Sequence, residues 1–306
     1  MFTESNRSRL AYIAETVFGE TPATPAMQNM RFTSSDMAGN KQTALSEEIR
    51  SDRMVSAMAE VGFDSAGSVN FELSLGGGFD QLLEAVLCGT DSLGVIQNGV
   101  VQRSFSIEQG FTDTDMYQLF RGMRAGTMQL DISANSIVTG SISFMGTELV
   151  VAETEFGTSY APQTTTEVVN ATTDVGTLAI DDVPLAVSLQ SISLNIDNGL
   201  RSQPAIGSKY PVGIGYGRQV ISGSLTAYFE DLSLYQAMLD HDDVKLEFTI
   251  SDAAGNSILF ELPRIKFASD APAPAGIDQD VMENIEWTAL ADATGTYQIQ
   301  VTIINA

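Results

Sequence analysis

Apolar and polar residues alternate one for one along much of this chain. Val69, Phe71, Leu73 and Leu75 fall on one side of such a run, with Asn70, Glu72 and Ser74 on the other. Ile192, Leu194 and Ile196 alternate with Ser193 and Asn195, and Ile221, Leu225, Ala227 and Phe229 with Ser222, Ser224, Thr226 and Tyr228. Tyr297, Ile299, Val301 and Ile303 repeat the pattern near the end. Successive side chains of a strand point to opposite faces, so a period of two marks strands buried on one face only. A sheet with one apolar and one wet face is typically antiparallel, which predicts a mainly antiparallel β protein.

Two stretches keep helical spacing instead. Phe79, Leu82, Leu83, Val86 and Leu87 follow the turn at Gly76-Gly77-Gly78, with Asp80 in the first turn, where the helix dipole favours a carboxylate. Leu234, Tyr235, Met238 and Leu239 stand behind Asp231, which suits the N-cap position. Each has a single apolar stripe, so each is expected to flank a sheet.

These helices open an internal repeat. Leu82-Leu83-Glu84-Ala85-Val86-Leu87 aligns with Leu234-Tyr235-Gln236-Ala237-Met238-Leu239. Each follows an alternating strand and precedes another, in which Val101, Phe105 and Ile107 match Val244, Phe248 and Ile250. Upstream, Ile49-Arg50-Ser51 resembles Leu200-Arg201-Ser202, and Val61-Gly62-Phe63 resembles Ile214-Gly215-Tyr216. A competing register pairs residues 137–142 with 220–225; it matches better locally but breaks the order of the flanking elements. The ordered matches predict two tandem domains, residues 30–151 and 176–306, after an N-terminal arm (1–29). A Thr-rich linker without periodicity (152–175) joins them. Each unit carries a long polar insertion, residues 38–60 and 197–213, and loops this long in compact domains are usually functional or disordered. Their recurrence favours contacts between subunits.

Composition narrows what such a fold can do. Asp and Glu number 39 against 15 Lys and Arg, a net charge of -24, whereas a nucleic-acid binder needs clustered cations to displace counterions. Direct DNA binding is therefore not expected. Cys88 is the only cysteine, so an internal disulfide is impossible, and its place at the end of an apolar run predicts a buried, inert thiol. The first nine residues are polar and basic with no apolar run behind them, so neither a signal peptide nor a membrane span is expected.

A search for chemistry finds no constellation. His241-Asp242-Asp243 lies between a helix and a strand and reads as a solvated turn. Gly213-Ile214-Gly215-Tyr216-Gly217 leads into a strand, where a dinucleotide motif needs a helix. Asp278-Gln279-Asp280 lacks the Gly and Glu of a calcium loop, and the one tryptophan, Trp287, sits in an alternating strand as a core residue would. No enzyme activity, metal or cofactor is expected. The polar strand faces are largely Ser, Thr and Asn, a wall along which a polyanion slides without being held.

Arg7-Ser8-Arg9-Leu10-Ala11-Tyr12-Ile13-Ala14-Glu15-Thr16-Val17-Phe18-Gly19-Glu20-Thr21-Pro22-Ala23-Thr24-Pro25 resembles the arm that opens a family of bacteriophage tail-tube proteins. Ser193-Leu194-Asn195-Ile196-Asp197-Asn198-Gly199-Leu200-Arg201, Gly215-Tyr216-Gly217-Arg218, Gly223-Ser224-Leu225-Thr226-Ala227-Tyr228-Phe229-Glu230-Asp231 and Asp252-Ala253-Ala254-Gly255-Asn256 look like the same family. Leu262-Pro263-Arg264-Ile265-Lys266-Phe267 and Asp278-Gln279-Asp280-Val281-Met282 extend the likeness over nearly the whole chain.

The resemblance implies two tandem tail-tube-like antiparallel β-sandwich or barrel domains, each with a short flanking helix. Strands of neighbouring subunits would join into one closed inner barrel. With two units per chain, three chains would make a pseudo-sixfold ring, and rings would stack head to tail into a tube with an acidic lumen for DNA. The implied partners are a tape measure protein, a tail terminator and distal tail proteins, and the implied location is the virion, after assembly in the host cytoplasm. Arg9, Tyr12 and Phe18 of the arm and Arg50, Arg53 and Arg201 of the insertions are the expected subunit contacts. The alternative is an extracellular β-sandwich binding or adhesion module; a β-sandwich hydrolase is the third reading.

Overall fold

The period-two runs form strands, and the two helical stripes form the only α-helices among the described residues. The structure is a computed structural model that describes residues 3–172, 174–175, 179–180, 183–184, 188–269, 272 and 276–304. A 3-10 turn (Ser5–Arg7) leads into β1 (Ser8–Ala14), β2 (Ala26–Asn29), β3 (Ser34–Ser35), β4 (Ala38–Leu45), β5 (Met58–Glu72) and α1 (Phe79–Leu87). Then come β6 (Val95–Gln97), β7 (Phe105–Phe111), β8 (Met116–Ser133), β9 (Thr139–Gly146), β10 (Glu148–Ala152) and β11 (Ser159–Ala161). The rest of the chain forms β12 (Ala179–Ile180), β13 (Val183–Pro184), β14 (Leu189–Asp197), β15 (Arg201–Gln203), β16 (Gly213–Gly215) and β17 (Val220–Tyr228). It ends with α2 (Ser233–Asp240), β18 (Val244–Ser251), β19 (Ser257–Ser269), β20 (Met282–Ala289) and β21 (Gln300–Ile304).

The strands pair in two like sets. β4, β5, β9, β8 and β7 lie side by side, each antiparallel to the next. β14, β17, β20, β19 and β18 do the same. β1 lies on β7 as β12 lies on β18, and β10 lies on β8 as β21 lies on β19. β8 and β14 then pair with each other from Ser133 and Ser191 to Thr127 and Asp197. The result is one continuous sheet in the order β4–β5–β9–β8–β14–β17–β20–β19.

β8 and β19 serve two layers, and bulges let them do so. β8 shifts register opposite β7 between Phe105 and Ile107, and opposite β9 between Ala125 and Met128. β19 shifts opposite β18 between Val244 and Leu246, and opposite β20 between Phe267 and Ser269. A bulge bends its strand, so the first half of β8 joins β7 and β10 while its second half joins β9 and β14. The apolar faces of both layers meet α1 and α2 in one core that includes Trp287, Phe120, Phe248 and Phe260.

Several expectations change in detail. The ladders put Phe105 in the place of Val244 and not of Phe248, because each precedes the same bulge. Val101 lies before β7. The arm is not free: β1 pairs with β7 over its whole length, and Leu10, Ala11, Tyr12 and Met27 are buried. The linker is also anchored, since β11 runs parallel to β2, and buried Val169 bonds through its backbone to Leu73 and Val138. Residue 176, the expected start of the second unit, lies outside the described residues. Both insertions are β-hairpins, β4–β5 and β15–β16. Leu232 caps α2, and Asp231, one residue earlier, accepts the Ser233 N–H.

Candidate functional site

The eight-strand sheet has one apolar and one polar face, and its ladders align both across the chain. Phe71, Gly140, Leu130, Leu194, Gly223, Trp287 and Phe267 form one inward row. Glycine lies beside the largest ring because a Cβ at Gly223 would stand 2.3 Å from Trp287. On the other face Ser34, Asn70, Ser141, Gln129, Asn195, Ser222, Thr288 and Lys266 stand in line. Beside them run Glu72, Thr139, Asp131, Ser193, Ser224, Glu286 and Ser269. These two rows carry three carboxylates against one cation, Lys266, whose ammonium is turned to Asp243 and to the His241 carbonyl. Among the described residues, these two rows offer hydroxyls, amides and three carboxylates, without the clustered cations that phosphate binding requires.

The two hairpins project beyond this sheet and touch each other. The Lys209 ammonium sits 2.8 Å from Glu60, which also lies 3.4 Å from Lys41. The Phe63 and Tyr210 rings meet edge to face at 5.7 Å, and the Phe63 N–H donates to the Lys209 carbonyl. Lys209, with help from Lys41, holds the Glu60 carboxyl below the usual range. Leu45, Ile49, Met54, Val55 and Met58 on one hairpin, and Ile206 and Val212 on the other, are exposed. Exposed apolar groups concentrated on projecting hairpins mark an interaction surface.

A buried asparagine fastens the seam between β8 and β14. Asn198 Nδ2 donates to the carbonyls of Val86, at the end of α1, and Ala125, on β8. The Gln219 side-chain amide donates to Asn198 Oδ1 at 2.9 Å and to Val86 O at 3.1 Å. Cys88, which ends α1 in the left-handed region, lies 3.9 Å from Asn198 Oδ1. Burial pushes its thiol up, against the pull of Arg103 and Arg124, as suits an inert side chain.

The expected contact residues separate into two groups. Arg9 pairs with Glu108 and Glu155, and Tyr12 is buried, donating to the Gly78 carbonyl. Phe18 lies half-buried under the Arg124 guanidinium, 4.6 Å from ring centre to Cζ. These three are occupied within the chain. Among the described residues Arg50 pairs with its neighbours Glu48 and Asp52 alone, and Arg53 and Arg201 are exposed, so the hairpins present all three outward. Sequence reasoning passed over Asn198, Glu60 and Lys209. Asn198-Gly199 reads as a turn, and no local pattern reveals that its side chain is buried in a seam.

His241 ends α2 in the left-handed region, and Gly213, Ile214 and Gly215 form β16. A trough of about 480 Å³ beside β1, β2 and β11 is lined by Tyr12, Ile13, Met27, Gln28, Gln81 and Tyr160 with small neighbours, and among the described residues no carboxylate or histidine lines it. No helix of the described residues is long and apolar enough to cross a membrane. No curated protein matches the chain. The family profile described as phage tail tube protein matches residues 5–289, nearly its full length. With its β-rich sheet, polar face and projecting hairpins, the chain belongs to the phage tail tube protein family, a structural component of the virion tail.

Proposed function

We propose that this chain carries two tandem tube units and that three copies close into a ring of six, which stacks into the tail tube. The observation that carries this reading is the β8–β14 seam, where two like sets of strands meet edge to edge and keep one polar face. What the seam does within a chain, a second copy can do between chains. β4 pairs with β5 alone, and β19 beyond Ile265 is unpaired on the side away from β20 among the described strands, so an edge stands free at each end of the sheet. Closing a barrel removes edges that would otherwise recruit further strands without limit.

The polar face then becomes the lumen wall, acidic and rich in hydroxyls, and DNA passes along it into the host without specific binding. The hairpins, with Arg50, Arg53 and Arg201, link successive rings. Stacking of this kind is open-ended, so a tape measure protein and a tail terminator limit the length, and distal tail proteins complete the tip. Assembly takes place in the host cytoplasm, and the chain performs no catalysis.

Negative-stain microscopy of the purified protein tests this reading. Hollow rings or tubes are expected, with a smallest ring of three times the 32.7 kDa chain mass. Replacing Arg50 and Arg201 together by Ala should leave rings but impair their stacking. A compact monomer that persists at high concentration would sink the reading.

A further inference from the structure

The two helices occupy like positions but differ in what covers them. In α1, Leu82, Leu83, Ala85, Val86 and Leu87 are all buried. In α2 only Leu234 is, and Leu239, which aligns with Leu87, is 56% exposed. Part of the difference is local. Residues 88–103 fold back over α1, with Gly99 and Val101 donating to Leu87 and Cys88, whereas α2 enters β18 after three residues. The other part comes from the seam, where Asn198 and Gln219 cap the Val86 carbonyl.

The ladders identify which residues would stand at the matching place on a second copy. Gly67 faces Phe144 as Gly223 faces Trp287, and in the adjoining row Ala66 pairs with Ala38 as Ser222 pairs with Asn195. Three residues further along, Lys41 pairs with Phe63, and Asn198 meets Gln219. Lys41 and Phe63 therefore hold in the first unit the positions that Asn198 and Gln219 hold in the second.

We propose that the carbonyl end of α2 receives Lys41 and Phe63 of a second copy of this chain, as the end of α1 receives Asn198 and Gln219. This docking rests on the ring reading above and specifies its contact. The chemistry is complementary. The last turn of α2 contains no cation of its own; Lys266 reaches its end from β19, turned to the His241 carbonyl and to Asp243, and exposed Asp240 and Asp242 flank the same end, where the dipole and both carboxylates favour a further ammonium. The Lys41 side chain is 60% exposed, and Glu60 keeps Lys209 if Lys41 turns away. The Phe63 ring supplies apolar area to Leu239 where the internal seam has an amide.

Paired cysteines test the contact. Asn198 and the Cys88 thiol lie 3.9 Å apart, and His241 ends α2 in the same left-handed conformation as Cys88. Lys41→Cys with His241→Cys, or with Asp240→Cys one residue earlier, should give disulfide-linked dimers and trimers on oxidation of assembled protein. Neither single variant should, and within one chain the two positions lie at opposite ends of the sheet. Lys41→Glu should lower the melting temperature of the unassembled chain only slightly, because its exposed pair with Glu60 contributes little and Glu60 keeps Lys209, and should raise the concentration needed for rings on the order of tenfold. Rings without either crosslink, or Lys41→Glu assembling like the parent, would overturn this docking and leave the tube reading intact. No rings from the parent protein would remove both.

Discussion

Glu108 has no exposed surface, yet both of its carboxylate oxygens are engaged. Arg9 Nη2 lies 2.7 Å away, the Tyr160 hydroxyl donates at 2.8 Å, and the Phe156 N–H donates at 2.8 Å. The Arg9 guanidinium also covers the Tyr160 ring, 3.6 Å from its centroid, while burial and Glu108 push the Tyr160 hydroxyl above its ordinary range. One carboxylate thus ties β1 to β7 and to the segment leading into β11. Removing one member of a buried ion pair leaves the other uncompensated, so Glu108→Ala should cost about 3 kcal/mol in urea unfolding at neutral pH. A loss below about 1 kcal/mol would mean that Glu155 alone satisfies Arg9, as exposed pairs contribute little. None of this is legible in residues 7–25, because the partner lies 99 positions away.

At the scale of elements, the helices were readable and the hairpins only half so. A single apolar stripe locates a helix whatever it packs against, and both helices lie where the spacing puts them. A polar stretch between strands does not reveal whether it is a loop or a hairpin, because a ladder extending past the core has no buried face to leave a pattern. The joined hairpins carry a pH dependence of their own. Glu60 is held below the usual carboxyl range by Lys209, so its contribution is present above the ordinary value of about 4.3 and lost as pH falls through the lower folded value. Hydrogen exchange at the Phe63 amide, which donates to the Lys209 carbonyl, should therefore gain protection as pH rises from strongly acid toward the ordinary carboxyl range, corrected for intrinsic rates. Glu60→Gln should abolish that gain; if it does not, another group controls the contact.

At the scale of the molecule, an excess of acid over base becomes meaningful only once the sheet decides where the charges point. Glu72, Asp131 and Glu286 share one face with hydroxyls and amides, which suits a wall that repels phosphate. Asp131→Lys with Glu286→Lys should create DNA binding that falls steeply with salt, where the parent shows none in an anisotropy titration with a short duplex. Binding by the parent at physiological salt would contradict passage without grip.

Alternation by itself determined which residues face inward, as with Trp287 and the run from Ile192 to Ile196, and helical spacing determined α1 and α2. Both signals are local, because a side chain's direction follows from its own backbone. Which edges meet was decided only by the tertiary structure. The β8–β14 seam, the burial of Asn198, the Glu60–Lys209 contact and the docking of β1 on β7 join positions far apart in the chain. A period of two says that a strand has an inner face, but it does not name the strand beside it, since every edge offers the same backbone donors and acceptors. Register, bulges and burial make that choice together.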